Sequence, residues 1–319
     1  MTPTRPKNGV KTLRDYIRDY LQLRWAMGHK LARHEQMLTS FIAELTARGQ
    51  DSITTEAAIA WACAPVEASP RWWARRLSVV RGLAAYIHSR EPHRAQEIPA
   101  DAITARSSRT VPYLYTPQQV LALMEGATRL RPTVRGLTMA AVIGLMSATG
   151  LRISEALALN VTDVDTDEDV LRVNGKRDRL RLVPIHRSTS TALLSYRQAV
   201  TPLVPAPASG AFFLTFTGTR PRANNIQVAF RGLVNELRYT PGPGGRPPRL
   251  HDMRHSFSTN TLLDAYRDQV DVDARVAVLA TYLGHVSPAS TYWYLTATPQ
   301  LLALTADKVA AAQHKGRML

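Results

Sequence analysis

Cysteine is nearly absent. Cys63 is the only one in 319 residues, so no intramolecular disulfide can form and a reduced, cytosolic setting is expected. It stands among Trp61, Ala62 and Ala64, which predicts a small buried hydrophobe. Long apolar runs are absent too. The longest weakly polar stretch is the 16 residues between Arg135 and Arg152, short of the ~20 that a membrane-spanning helix needs. It reads as a buried core helix, and no membrane partner is expected. Lys7, Lys11 and Arg14 have no apolar run behind them, so the first residues do not form a secretory signal. Acidic residues are scarce, with 25 Asp and Glu against 40 Lys and Arg, a net charge of +15. The excess is spread along the chain: 15 basic against 9 acidic in residues 1–100, and 25 against 16 in 101–319. That distribution suits a long polyanion gripped by two domains. Charge alone fits a merely soluble basic protein equally well.

What is present is mostly helical. The length allows two domains of ~100–200 residues, and 45% hydrophobic residues can build a sizeable core. Residues 1–11 read as a disordered N-terminus. Residues 12–91 read as a four-helix domain. Its first helix carries Leu13, Tyr16, Ile17, Tyr20 and Leu21. The second carries Leu38, Phe41, Ile42 and Leu45 and stops near Gly49. A third spans about Thr55 to Ala64. The fourth has Trp73, Leu77, Val80, Ala84 and Ile87 on one stripe, with Arg71, Arg75, Arg76 and Arg81 on another face. Those arginines are a solvated face or a DNA-gripping one. Residues 92–111 lack a helical period, contain Pro92 and Pro99, and read as a linker. The second domain is placed at 112–319. Thr116-Pro117-Gln118-Gln119 predicts a capped helix start for Val120, Leu121, Met124 and Ala127. Thr149-Gly150 predicts a helix end, with a short helix restarting near Arg152. From Val164 to Ile185 the period switches to two, and Asn174-Gly175 marks a hairpin with Lys176, Arg177 and Arg179 at its tip. A helix from Thr189 to Val200, a short strand from Ala211 to Leu214 and a helix carrying Ile226, Phe230, Leu233 and Leu237 follow. The fold class is therefore mainly α, with a small antiparallel three-stranded sheet.

The chemistry-bearing residues gather late in the chain. His251 and Arg254 are three apart and share a face if the segment is helical. His285 closes Leu-Gly-His, and Tyr294 follows nine residues later. An arginine can hold phosphate oxygens bidentately, histidine can donate to them, and a phenol is a nucleophile. No carboxylate cluster accompanies them to hold a metal. His251 and His255 have the spacing of a zinc pair, but no Glu follows His251 and no third ligand is recognisable. His255 is expected to pack or to touch a nucleic-acid backbone.

His-x-x-Arg, Leu-Gly-His and the following tyrosine together resemble the tyrosine recombinases, the phage-integrase family. Ala148-Thr149-Gly150-Leu151-Arg152-Ile153-Ser154-Glu155 is similar to the family's first-arginine motif. Lys176, 24 residues on, is similar to its hairpin lysine, followed by Arg181-Leu182-Val183-Pro184-Ile185. The surroundings of Tyr294 look transposon-like or Xer-like. The resemblance implies a core-binding (SAM-like) domain ahead of a catalytic one. It implies Arg152, Lys176, His251, Arg254, His285 and Tyr294 as catalytic residues, Tyr294 being the nucleophile. It also implies a 3′-phosphotyrosyl intermediate without metal, nucleotide or other cofactor. The implied partners are double-stranded DNA with inverted-repeat sites, copies of the same chain in a tetrameric synapse with the tail after Tyr294 on a neighbour, and other recombinases. The implied location is the cytoplasm, at the nucleoid. A type IB topoisomerase or a non-catalytic DNA-binding protein of the same fold would carry much of the same pattern.

Overall fold

A computed structural model describes residues 11–29, 31–105, 111–175, 179–268, 270–285 and 291–292. The chain divides into two compact units, residues 1–109 and 110–319.

In the first unit, Thr12 and Asp15 form a reciprocal cap that opens α1 (Leu13–Ala26). α2 (Ala32–Ala47), α3 (Thr55–Cys63) and α4 (Pro70–His88) follow. The predicted stripes meet in one core, where the Phe41 and Trp61 rings lie 5.3 Å apart, except that Trp73 is half-buried outside it and donates from Nε1 to the Pro65 carbonyl at 2.9 Å. On α4, Leu77, Val80, Leu83 and Ile87 are no more than 1% exposed. At ~1.5–3 kcal/mol for each fully buried side chain, that stripe outweighs any surface ion pair.

The structure departs from the sequence reading at three further places in this unit. Cys63 is half-buried rather than buried, because it ends α3 while Trp61 and Ala62 take the core-facing positions. The four arginines of α4 are not one free face. The Arg76 guanidinium lies 3.8 Å from the Trp61 ring centroid and donates to the Trp61 carbonyl at 2.6 Å. Arg81 donates to the carbonyls of Pro99 and Ala100. Only Arg71 and Arg75 of the four are exposed. Finally, the first unit's packing continues past 91: Ala95 bridges to Ile53, and Ala95 and Ile98 are buried. A single bridge in extended chain leaves no period to read. Residues 1–10 and 106–110 lie outside the described residues, whereas Lys11 pairs with Asp19.

The second unit is built on α6 (Thr133–Thr149), buried on most sides. Around it pack α5 (Pro117–Thr128), α8 (Arg187–Val200), α9 (Ala223–Glu236) and α10 (Asp252–Arg267), with the short α7 (Ile153–Ala158) at its end. α11 (Val272–Leu283) packs on α10. The Thr116 and Gln119 cap opens α5 as read. Leu121, however, is 57% exposed and Leu123 is buried in its place, so the apolar face is rotated from the one expected. The sheet is β1 (Val164–Asp165), β2 (Val170–Asn174) and β3 (Leu180–Pro184), antiparallel in that order. Its period of two is visible in Leu171, Val173 and Val183, all buried, against Leu180 and Leu182, exposed. Ala211–Leu214 is buried throughout but is not a strand. It makes one bridge, Ala211 to Asn160, and then turns.

Candidate active site

Three chain breaks position the site. The first is Gly150, which ends α6 in the left-handed region at φ 62°. The chain then restarts as α7, with Arg152 at its N-cap. The Glu155 carboxylate reaches back to the Arg152 backbone N–H at 3.0 Å and accepts from its Nη1 at 2.7 Å. This is the acidic half of a capping box, and it fixes the arginine at the helix start.

The second break precedes α10. The loop 241–249 reads as a flexible basic connection, yet its last residue is clamped. Arg249 donates from its backbone N–H and its guanidinium to the buried Asp252 carboxylate. Tyr115 ties the same turn down, donating from its hydroxyl to the Arg249 carbonyl and from its N–H to the Ser256 hydroxyl. His251 therefore stands at the N-cap of α10, and Arg254 lies one turn in. The His251 and His255 rings meet edge to face at 5.2 Å. Among the described residues no group of three potential ligands surrounds them.

The third break is Gly284, which ends α11 at φ 64° and delivers His285. His285 Nδ1 lies 2.6 Å from the hydroxyl of the buried Thr291.

Arg254 joins the breaks. It is 2% exposed, and it donates from Nη1 to the Gly150 carbonyl and from Nη2 to the Leu283 carbonyl, both at 2.8 Å. Those carbonyls belong to the ends of α6 and α11, where helix dipoles concentrate negative charge. A guanidinium is the side chain that meets both at once. The fold thus brings Arg152, His251, Arg254 and His285 into one electrostatic neighbourhood. Burial, followed by the Arg254 charge, holds His251 below the usual histidine range, although the residue keeps an exposed edge. Burial, then Arg254 and Arg152, push His285 down to about 4. Burial and the neighbouring His251 do the same to His255. The histidines are therefore neutral near pH 7 beside fixed guanidinium charge, an arrangement suited to an anion.

Lys176, Arg177 and Tyr294 lie outside the described residues, as does the tail expected to pack on a neighbour. Arg179 is described and exposed, and its carbonyl closes the hairpin with the Gly175 N–H at 2.8 Å. Two residues given no role from the sequence are central here. Glu155 is 5% exposed and, besides its bonds from Arg152, accepts two from the Arg181 guanidinium, at 3.0 and 3.3 Å. Burial alone would raise its carboxyl. The bonds from Arg181 and from the Arg152 N–H, with both guanidinium charges, bring it below its ordinary range instead. Arg181 also donates from Nε to the Tyr282 carbonyl at 3.0 Å. The signal was Arg181's place in β3: it shares the inner face with Val183, where a charged residue needs a buried partner.

A sequence model of the phage integrase family matches residues 114–300. A Sinorhizobium fredii protein that carries the name integrase/recombinase y4rB is 37% identical over 300 residues, 92% of this chain and 95% of that relative. Tyrosine recombinase XerC of Pseudomonas aeruginosa is 30% identical over 315 residues, 96% of this chain and 90% of that relative. Among solved structures, XerH site-specific recombinase bound to palindromic difH substrate is similar at TM-score 0.65 and 18% identity, covering 92% of this chain and 84% of that one. The Tn1549 transposon integrase in complex with transposon right end DNA is similar at TM-score 0.61 and 17% identity, covering 92% and 99%. At these identities the structural likeness is one of fold. The relatives and the matched region carry the classification: the chain belongs to the phage integrase family, the tyrosine recombinases.

Proposed function

We propose that this site-specific recombinase cuts and rejoins duplex DNA through Tyr294, with Arg152, His251, Arg254, His285 and Lys176 as its supporting groups. The convergence of Arg152, His251, Arg254 and His285 from three separate chain breaks carries the reading. Attack on a phosphodiester builds negative charge on the non-bridging oxygens. Guanidiniums aimed at those oxygens strengthen their hold toward the transition state, and removing one such donor typically costs ~10²–10³ in rate. His285 adds a hydrogen bond. The Tyr294 oxygen bonds to phosphorus, and His251, neutral near pH 7, takes the phenolic proton. The bond from phosphorus to the 5′ oxygen breaks, and Lys176 protonates that oxygen. The product is a 3′-phosphotyrosyl link and a free 5′-hydroxyl. Attack by a different 5′-hydroxyl reverses the steps and joins the strands anew, so the phosphate ester energy is retained and no nucleotide is consumed.

The excess of basic residues in both halves of the chain and DNA-bound structures of the same fold, such as the Tn1549 integrase, support DNA as the partner. Inverted-repeat sites, a tetrameric assembly on DNA and work at the nucleoid belong to the same proposal, as does service to a mobile element. Among the described residues no helix is long and apolar enough to cross a membrane.

The test is a nicked suicide duplex and a denaturing gel. Tyr294→Phe removes one oxygen, so DNA binding persists and the covalent adduct disappears. Tyr292→Phe keeps the adduct, since Tyr292 is seven residues from His285, not nine. An adduct that survives Tyr294→Phe and vanishes in Tyr292→Phe moves the nucleophile. No adduct in any form, including the unaltered chain, refutes the reaction.

A further inference from the structure

We infer that Arg181 is a positioning residue that holds Arg152 and the His285 turn in register with the β2–β3 hairpin. The inference rests on the phosphodiester reading above. Arg181 engages three elements at once. Its fork meets both oxygens of Glu155 on α7, at 3.0 and 3.3 Å. Its Nε meets the Tyr282 carbonyl in the last turn of α11. Its face lies against Gly284, where an added Cβ would come within 3.0 Å of Nη1 and 3.1 Å of Cζ. His285 is the next residue. Arg181 itself stands on β3 opposite Val173, and so moves with the hairpin.

Glu155 makes the arrangement consequential. Its buried carboxylate must be met by a cation. With Arg181 in place, that charge is matched by a two-toothed partner, and Arg152 gives it only one side-chain bond, from Nη1 at 2.7 Å. The rest of the Arg152 fork can then turn to a phosphate. Without Arg181, Arg152 would be the guanidinium left on Glu155 among the described residues, and the carboxylate would compete directly with DNA for it. Lysine cannot substitute. One ammonium has no fixed fork with which to meet Glu155 and the Tyr282 carbonyl together.

The experiment compares the full chain with Arg181→Met and Arg181→Lys. The substrate is a nicked duplex selected from a randomised pool by covalent capture on the unaltered chain. It is used once with a normal scissile phosphate and once with a methylphosphonate, which carries no charge at that position. Duplex binding is expected to stay within about threefold, because Arg181 is 15% exposed and turned inward. Cleavage of the normal phosphate should fall by roughly 10² in Arg181→Met, the scale of an ångström-sized misplacement, and by roughly tenfold in Arg181→Lys. On the methylphosphonate both losses should shrink to a few-fold, since Arg152 no longer has charge to neutralise there. A purely architectural residue would lose equally on both substrates, and that result overturns the inference. So does cleavage by Arg181→Met within threefold of the unaltered chain on the normal phosphate. Thermal unfolding supplies an arm free of activity. The shifts in Tm caused by Arg181→Met and Arg152→Met should not add, because both act through Glu155; additive shifts sever the linkage. If the unaltered chain captures no DNA, the recombination chemistry fails and the unfolding arm alone decides the linkage.

Discussion

Replacing Gly150 with alanine tests how the site is held. The residue sits at φ 62°, and a Cβ there would lie 2.6 Å from Phe257 Cδ1 and 3.1 Å from Leu283 Cδ2. Two costs follow. A left-handed non-glycine residue costs ~1–2 kcal/mol. Forcing a methyl into packed neighbours costs ~1–3 kcal/mol more. The sum, about 2–5 kcal/mol, is large against a typical net stability of ~5–15 kcal/mol. In a unit of this size it lowers the melting temperature by roughly 4–20 °C, at ~2–4 °C per kcal/mol. Gly245 separates the two costs, because it has φ 67° with nothing within 4 Å of an added Cβ. Gly245→Ala should show the backbone cost alone. Activity should fall further than stability predicts in Gly150→Ala, because the Gly150 carbonyl accepts from Arg254. The assay is thermal unfolding of both variants, with adduct formation measured well below their melting temperatures. Equal melting temperatures for the two variants would refute the packing argument. Undiminished adduct formation by Gly150→Ala would refute the link to Arg254.

Other outcomes follow from particular residues. His255 and His285 are both held at about 4, against ~6.5 in an unfolded chain. A depressed histidine means that the unfolded state binds more protons between those values. Their contribution is therefore complete above pH 6.5 and lost as pH falls toward 4, so Tm should drop across that window and drop less in His255→Phe; a flat Tm contradicts the assignment. Cleavage should survive EDTA, because guanidiniums supply the phosphate charge stabilisation; a strict Mg²⁺ requirement for the cutting step would falsify that mechanism. Reversing the exposed Arg71 and Arg75 to Glu should weaken duplex binding and flatten its salt dependence, whereas Arg76→Ala should lower Tm with little change in binding. Equal binding by the reversed chain would remove that face from DNA contact.

Much of this architecture was legible because it is local. The Thr116 cap, the glycine stop at 150 and the alternation through Leu171, Val173 and Val183 are each written within a few residues. The spacing of His251 and Arg254 was legible for the same reason. Features that depend on distant partners were not. Glu155 and Arg181 are 26 residues apart and meet only when the sheet folds onto α7. Thr291 is only six residues from His285, yet nothing in the sequence signals that the two will meet. Arg76 looked like its neighbours on α4 until Trp61, on another helix, claimed it. Ala211–Leu214 shows the limit for short apolar runs, whose burial can be read but whose backbone state cannot.

Two of the bonds that hold Arg254 end on carbonyl oxygens of residues 150 and 283, which every amino acid possesses. A side-chain anchor can be erased by one codon change; these can be lost only by moving the chain that bears them. These two bonds are thus insulated from drift in side-chain chemistry and exposed to drift in backbone shape. For anyone retargeting the enzyme, this divides the molecule usefully. Surface residues that would read a new DNA sequence can be exchanged freely, provided that the two left-handed glycines and the helix ends they terminate are carried over unchanged.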